Sequence, residues 1–506
     1  MNSTQRIVTN TLAQHIRSVI NICLSLYSTR LVLQALGESD FGIYSLVASV
    51  VALLGFLTNA MVITTQRQLS FCYGKGDISE VRTMFSNSLL LHIVCGVILC
   101  IILAALEPLL FSGFLNIEES RTDAAITVYY LVILTLLLTF LTAPYRALFI
   151  SRENIVYISI VDVLDGIIKL AAAIWLLSCP FDRLISYAFI IIGIMAFNLV
   201  ALAGWAQQHF KESLLFPRKK DISFQAMKEL TGFAGWTIYS TGCIIGRNQG
   251  ISLILNRFFG SIVNASYGIS QQVFGSIMFV AVSVTNAISP QLIKAEGSGD
   301  RKRMLWLSEI LSKYSVLLLS LICIPLVFEM PRILQIWLGK VPDYAVLLCR
   351  FTLVAALCDQ VTMGLGTANQ AIGRIRNYSL VINSIKLFTL PFFYMILALS
   401  GNMIAALSCY LLFEIICALA RLPFLKVTAG LSITHFCTNV ILRTLPALAL
   451  QVTACWFVTA TINSPYRFLL TTIASFLIGS IAIWFTALAA TERATAIQLF
   501  HKHVTK

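Results

Sequence analysis

Fourteen stretches of this chain are apolar over about 20 residues or more, the length a helix needs to cross the hydrocarbon core of a bilayer. They fall at roughly 11–36, 41–65, 84–106, 124–146, 157–178, 183–207, 229–256, 262–290, 306–330, 343–368, 378–400, 402–421, 438–462 and 464–489. Apolar types supply 58% of the 506 residues and charged types only 12%, about half the share of a soluble domain. A water-soluble globule cannot hide that much apolar surface. Lipid is therefore the solvent for most of the chain, and soluble-enzyme, disordered and disulfide-stapled classes are excluded. The expected fold class is all-α: a polytopic membrane protein of about 14 transmembrane helices.

The 36 basic residues orient it. With the N-terminus on the cytoplasmic side, 22 lie in cytoplasmic segments, six on the far side and eight within spans. That bias predicts both termini in the cytoplasm. The net charge of +13 is then a topology signal rather than a nucleic-acid footprint. The polar start, residues 1–10, leads into the first apolar run without an A-x-A site, so that run is expected to stay in the membrane. Thirteen cysteines without a C-x-x-C pair argue against zinc or thiol-redox chemistry, and no metal or cofactor is expected. The outer loops are short, the longest about 107–123, which leaves no outer domain for catalysis.

The sequence also repeats at an offset of 223 residues. Gly37 matches Gly260, Tyr44 matches Tyr267, Val50 matches Val273 and Phe56 matches Phe279. Gln68-Leu69 matches Gln291-Leu292, and Gly74-x-Gly76-Asp77 matches Gly297-x-Gly299-Asp300. The offset spans six helices, an even number, so the halves share one orientation, as in parallel-repeat transporters. The expected organisation is a six-helix bundle at 1–208, a cytoplasmic linker at 209–228, a second bundle at 229–427, and helices 13 and 14 with a cytoplasmic tail at 428–506. The linker carries Pro217-Arg218-Lys219-Lys220, suited to anionic lipid heads.

Charges inside a span are costly and mark cavities or partners. Here they are Arg17, Arg30, Lys169, Arg247, Lys313, Arg350, Lys386 and Arg443, against Asp162, Asp165, Glu309, Asp359 and Glu414. Glu309 and Lys313, four apart, predict an ion pair at a helix end. Asp165 and Lys169 share that spacing, and read either as a structural pair or as proton- or substrate-coupled groups. Arg350 and Arg443 are expected to snorkel. Asp359 and Glu414 have no sequence-local partner. Gln14, Arg17, Asn21, Ser25 and Ser28 fall on one face of the first helix. Thr237, Thr241, Asn248, Ser252 and Asn256 do so in span 7, with Arg247 adjacent. Asn264, Gln271 and Gln272 follow in span 8, and Ser379, Asn383 and Lys386 in span 11. Such stripes serve interhelical hydrogen bonds or a cavity, and Arg, Asn and Gln together favour a cavity. Guanidinium pairs with phosphate, and amides suit sugar hydroxyls. The first span has no acidic residue, which a cation exporter would want. The pattern points to a lipid-linked, phosphate-bearing glycan.

Leu26-Tyr27-Ser28-Thr29-Arg30, Leu36-Gly37 and Phe41-Gly42-Ile43-Tyr44 resemble the opening of Wzx-type polysaccharide flippases. Arg247-Asn248-Gln249-Gly250, Asn256, Phe258-Phe259-Gly260, Asn264-Ala265, Gln271 to Val273, Pro290-Gln291 and Gly297-x-Gly299-Asp300 extend the likeness through span 12. These flippases belong to the multidrug/oligosaccharidyl-lipid/polysaccharide (MOP) superfamily. The resemblance implies a MATE/MOP-like fold of two six-helix bundles around a cationic cavity, plus a C-terminal helix pair. It implies alternating access that carries undecaprenyl-diphosphate-linked repeat units across the bacterial inner membrane for O-antigen or capsule synthesis. Arg30 and Arg247 would hold the diphosphate, with Arg17, Lys169 and Lys386 contributing. Asn21, Asn248, Gln249, Asn256, Asn264 and Gln271 would touch the glycan, and Asp162 and Asp165 are candidates for ion or proton coupling. Expected partners are the lipid-linked oligosaccharide, membrane lipids and polymerase or assembly proteins, with no nucleic acid and the chain as a monomer. A multidrug or cation antiporter of the same superfamily is the alternative, and a membrane glycan polymerase a more distant one.

Overall fold

A computed structural model of the chain describes residues 3–52, 54–114, 119–217, 219–339, 341–489 and 492–493. Arg218, Lys340, part of the outer loop and the expected tail at 494–506 lie outside the described residues. The described residues are predominantly helical, with no strand. The helices are α1 (Ser3–Ala52), α2 (Gly55–Lys75), α3 (Ile78–Leu109), α4 (Thr122–Ser151), α5 (Ile155–Leu177), α6 (Arg183–His209), α7 (Phe224–Gly297), α8 (Arg301–Leu338), α9 (Ala345–Gln360), α10 (Met363–Ile372), α11 (Ile375–Ser400), α12 (Met403–Ala429), α13 (Ile433–Phe436), α14 (Leu442–Thr461) and α15 (Arg467–Ala482).

Ten helices among the described residues are long and apolar enough to span a membrane, eleven if the bent pair α9–α10 is one span. Fourteen were expected, and helix occupies the other positions too. The expected span at 41–65 is divided between the end of α1 at Ala52 and the start of α2 at Gly55, and polarity accounts for the other two. Every 18-residue window of α5 contains Asp162, Asp165 and Lys169. The first half of α7 is rich in Gly, Thr, Ser and Tyr.

The repeat reappears as backbone geometry. Helix α1 breaks at Gly37 (φ 75°, ψ 174°) and α7 at Gly260 (φ 80°, ψ −172°), positions 223 apart. That conformation is essentially glycine's alone. One residue thus makes each turn that the hydropathy pattern places between spans. The G-x-G-D motif has the same kind of explanation. Gly76 (φ 82°) and Gly299 (φ 79°) end one helix in the left-handed region, and Asp77 and Asp300 cap the next. No atom lies within 4 Å of a Cβ built on Gly260. Gly260→Ala should therefore cost only conformational strain, about 1–3 kcal/mol. Thermal unfolding of Gly260→Ala beside Gly268→Ala, a helical position with equal room and no positive φ, checks this. Equal stability of the two variants would refute it.

The chain divides into two compact units, Arg6–Ile238 and Tyr239–Lys506, the latter taking in Met1–Gln5. In the first, α4 packs against α2, α3 and α6, and buries Tyr129, Phe140 and Phe149 completely. Lipid tails are as apolar as these side chains, so close packing rather than the hydrophobic effect holds the helices together. The break at Gly37 is tied down from two sides. Arg183 Nη1 donates to the Ala35 carbonyl at 2.9 Å, and Arg121 bridges Asp40 and Asp182. Asp182 also caps α6 by accepting from the Leu184 and Ile185 amides. Partial burial alone would raise its pKa. The Arg121 and amide hydrogen bonds outweigh that and hold it below the ordinary aspartate value. The stretch at 209–228 is packed onto this unit. Tyr145 donates to the Leu214 carbonyl at 2.7 Å, Asn87 bonds both Asp221 and Ser223, and Arg152 pairs with Glu212.

In the second unit α8 is the central helix, contacting α9, α10, α14 and α15. The C-terminal pair α14–α15 docks on it. Arg467 and Thr471 of α15 hold the buried Glu329 of α8, with Arg467 Nε at 2.8 Å. Two local expectations are corrected here. Lys313 pairs with Glu492 at 2.7 Å and Glu309 with His435 at 3.0 Å, rather than with each other. Arg350 does not snorkel. Pro331 has no N–H for the Val327 carbonyl one turn back, and Arg350 Nε donates to that carbonyl at 2.8 Å.

Candidate functional site

Within the first unit the polar stripe of α1 faces a cavity. Asn21, Ser25 and Ser28 line it, with Thr29, Tyr44, Asp165, Lys169 and Tyr187, and its volume is about 550 Å3. Helices α1, α5 and α6 form the walls. Periodicity alone places the three α1 residues together, since they recur every three or four positions. Tyr44 and Tyr187 meet edge to face with centroids 4.7 Å apart. Lys169 Nζ stands 2.7 Å from Asp165 Oδ2, and Asn198 Nδ2 donates to Asp165 Oδ1 at 2.7 Å. One turn earlier on α5, Asp162 accepts from Arg17 Nη1 at 2.7 Å and pairs with Arg146. Both α5 carboxylates are thus compensated. Arg30 is exposed and makes no ion pair among the described residues.

The second unit buries a five-membered charge cluster contributed by α7, α9, α11 and α12. Arg247 pairs with Glu414 and lies over the Tyr410 ring, 5.2 Å from its centroid. Lys386 Nζ bridges Asp359 at 3.1 Å and Glu414 at 3.2 Å. Arg421 Nη2 donates to Asp359 at 2.7 Å, while its Nη1 donates to the Asp359 carbonyl at 3.0 Å. None of the five side chains is more than 20% exposed. Such a group is sustainable at low dielectric only because each charge touches an opposite one.

The structure therefore engages most of the cations that the sequence singles out for a diphosphate. Arg17 holds Asp162, Lys169 holds Asp165, Arg247 holds Glu414, and Lys386 joins two carboxylates. The amides scatter. Asn21 faces the first-unit cavity, Asn248 accepts from Arg247, and Asn264 accepts from Ser252 Oγ at 2.5 Å. Gln249 and Asn256 are exposed, and Gln271 is half-buried. Arg146 and Arg421, each at the cytoplasmic end of an expected span, prove to be members of these ionic groups. Helix α12 runs on to Ala429, so Arg421 lies within it. The spacing of Glu414 and Arg421, two turns apart on one helical face, is a signal that could have revealed it. Among the described residues no group of three or more His, Cys, Asp or Glu side chains gathers to hold a metal.

A family model, MatE, matches residues 16–168, a segment that carries Arg17, Asn21, Ser25 and Ser28 of α1 and Asp162 and Asp165 of α5. The fold comparison reaches further. A mutant MATE protein superposes with a TM-score of 0.72 over 85% of this chain and 97% of its own, at 14% identity. An outward-facing multidrug resistance MATE family transporter of the MOP superfamily gives 0.70 over 85% and 96%, at 14% identity. This chain is a polytopic membrane protein of MATE-like fold. A third neighbour with that fold is a MOP superfamily transporter from Pyrococcus furiosus, described as having a binding pocket of reversed polarity that suggests a different function. It superposes at 0.68 over 85% and 96%, with 13% identity. In sequence, the MATE-like chain is 22% identical over 332 residues to the uncharacterized membrane protein EpsK of Bacillus subtilis (strain 168). That match spans 63% of each chain, so less than two thirds of the relative's length is covered. MATE family proteins are transporters and not enzymes, and the family match supports a transporter function here.

Proposed function

We propose that this MATE-like protein is a flippase for undecaprenyl-diphosphate-linked oligosaccharide repeat units, acting in O-antigen or capsule synthesis at a bacterial inner membrane with both termini cytoplasmic. The observation that carries this reading is the charge balance. The five carboxylates expected within spans, Asp162, Asp165, Glu309, Asp359 and Glu414, each have a basic or histidine partner. Arg30, exposed in the first unit, has no ionic partner among the described residues. An organic cation wants an uncompensated carboxylate. A diphosphate wants a guanidinium, which it can accept from in bidentate fashion. The head group would pass through the protein by alternating access while the polyprenyl tail stays in lipid. Polysaccharide polymerase or assembly proteins would receive the product.

A multidrug or cation antiporter is the second reading, favoured by the multidrug resistance transporter among the fold neighbours. Proteoliposomes separate the two. With a fluorescent undecaprenyl-diphosphate-linked oligosaccharide and quenching of the outer leaflet, the wild type should move the probe. Arg30→Ala should slow it by about tenfold or more, as expected when a charge-assisted contact of roughly 1.5–3 kcal/mol is removed. Ethidium movement without any movement of the lipid-linked probe would overturn the flippase reading.

A further inference from the structure

The cavity between α1, α5 and α6 differs in chemistry from a phosphate site. Its one cation, Lys169, is already compensated by Asp165 at 2.7 Å, so the pair brings no net charge. What remains is a set of hydrogen-bonding groups on aromatic walls. Asp165 accepts, Lys169 donates, Ser25 can do both, and Asn21 offers its amide NH2, its Oδ1 being buried. Tyr44 and Tyr187 also line it, their rings held edge to face. Lys169 and Ser25 remain accessible, so the polar groups can be reached. A volume of about 550 Å3 falls within the roughly 300–1,000 Å3 usual for small-molecule sites.

Sugar hydroxyls both donate and accept, and the faces of a pyranose ring are apolar. A compensated acid–base pair, an amide, a hydroxyl and two phenol rings match that combination. They do not match a phosphate, which cannot donate once ionised. They do not match an acidic sugar either, since its carboxylate would meet Asp165 with Lys169 already engaged. We propose that this cavity is a subsite for uncharged sugar residues of the transported glycan, separate from the group that holds the diphosphate. The inference rests on the flippase reading and deepens it. The subsite selects neutral glycans by hydrogen bonding, because a charged ligand would gain a counter-ion here only by breaking the Asp165–Lys169 pair.

The test uses purified full-length protein and saturation-transfer NMR with N,N′-diacetylchitobiose and with glucuronate as free probes. Chitobiose should receive saturation from the wild type, and glucuronate should bind about tenfold more weakly or not at all. Ala172→Phe places a ring in the cavity without removing a polar group, since Ala172 lines it. It should abolish the chitobiose signal. Ile98→Phe, on an exposed position of α3, should keep the signal and reports on general effects of an added ring. Chitobiose binding that survives Ala172→Phe, or equal binding of glucuronate, overturns the subsite. Lipid-linked probe flipping by the same wild-type preparation distinguishes the two failures. If flipping persists while chitobiose is silent, the subsite falls alone. If flipping is absent as well, the flippase reading falls with it.

Discussion

Replacing Gly364 by alanine is expected to be among the most damaging single changes in this protein. Helix α10 crosses α8 so closely at Gly364 that its amide donates to Ser312 Oγ at 3.0 Å. A Cβ there would overlap the Ser308 carbonyl oxygen and stand 2.8 Å from Ser312 Oγ. The first obstacle is backbone inside a helix, which cannot swing aside as a side chain can. Small residues allow this close approach, the usual source of helix association in lipid. The cost should reach roughly 3 kcal/mol or more, the upper end for overpacking, because relief requires α10 to move off α8. Gly193→Ala is the matched comparison. Gly193 sits in α6 with nothing within 4 Å of its would-be Cβ, so alanine should be neutral or slightly stabilising there. Thermal unfolding in detergent, with the folded fraction after extraction, reads both. A Gly364→Ala protein as stable as Gly193→Ala would mean that the α8–α10 crossing is looser than described.

The second large effect concerns the charge cluster of the second unit. It contains three cations and two carboxylates. Removing a carboxylate and removing a cation are therefore not equivalent. Glu414→Ala leaves Arg247 buried without an anionic partner and raises the local excess of positive charge. Breaking a buried pair in this way costs roughly 3–5 kcal/mol. Arg247→Ala leaves Glu414 beside Lys386, 3.2 Å away, and makes the remaining cluster neutral. Its cost should be smaller, about 1–3 kcal/mol, and include lost packing on Tyr410. The double variant should be more stable than Glu414→Ala alone, because the orphaned guanidinium is gone. Equal losses for the two single variants, adding fully in the double, would show that the groups do not act as one unit.

The repeat shows how far a linear pattern reaches. The offset of 223 residues alone marks Gly37 with Gly260 and Gly76-Asp77 with Gly299-Asp300. In the structure those pairs have matching backbone angles and matching caps, because glycine's φ > 0 and aspartate's capping are local properties. The cavity-facing side of α1 was legible for a similar reason. Helical periodicity decides which residues share a face, and Asn21, Ser25 and Ser28 do.

Pairing was less legible. Asp165 and Lys169 obeyed the i,i+4 rule, yet Glu309 and Lys313, with the same spacing, are bound to His435 and Glu492 instead. Asp359 and Glu414 had no sequence-local partner, and each proved to have two, drawn from two other helices. Arg421 stands at the end of the expected span 402–421, although α12 continues past it by two turns. Arg350 looked like a snorkelling interface residue, although it fills the hydrogen-bond gap left by Pro331 on another helix.

Composition, periodicity and the repeat by themselves determined that lipid is the solvent, that the chain is helical, that two similar halves recur, and which glycines correspond between them. Each of these depends on properties of a residue or its near neighbours. Tertiary structure alone decided which buried charge meets which. Helices carrying the same sequence can rotate and slide by a few ångströms against one another, and at low dielectric that small displacement determines whether a guanidinium is left open to an anion or is satisfied by a carboxylate from another helix.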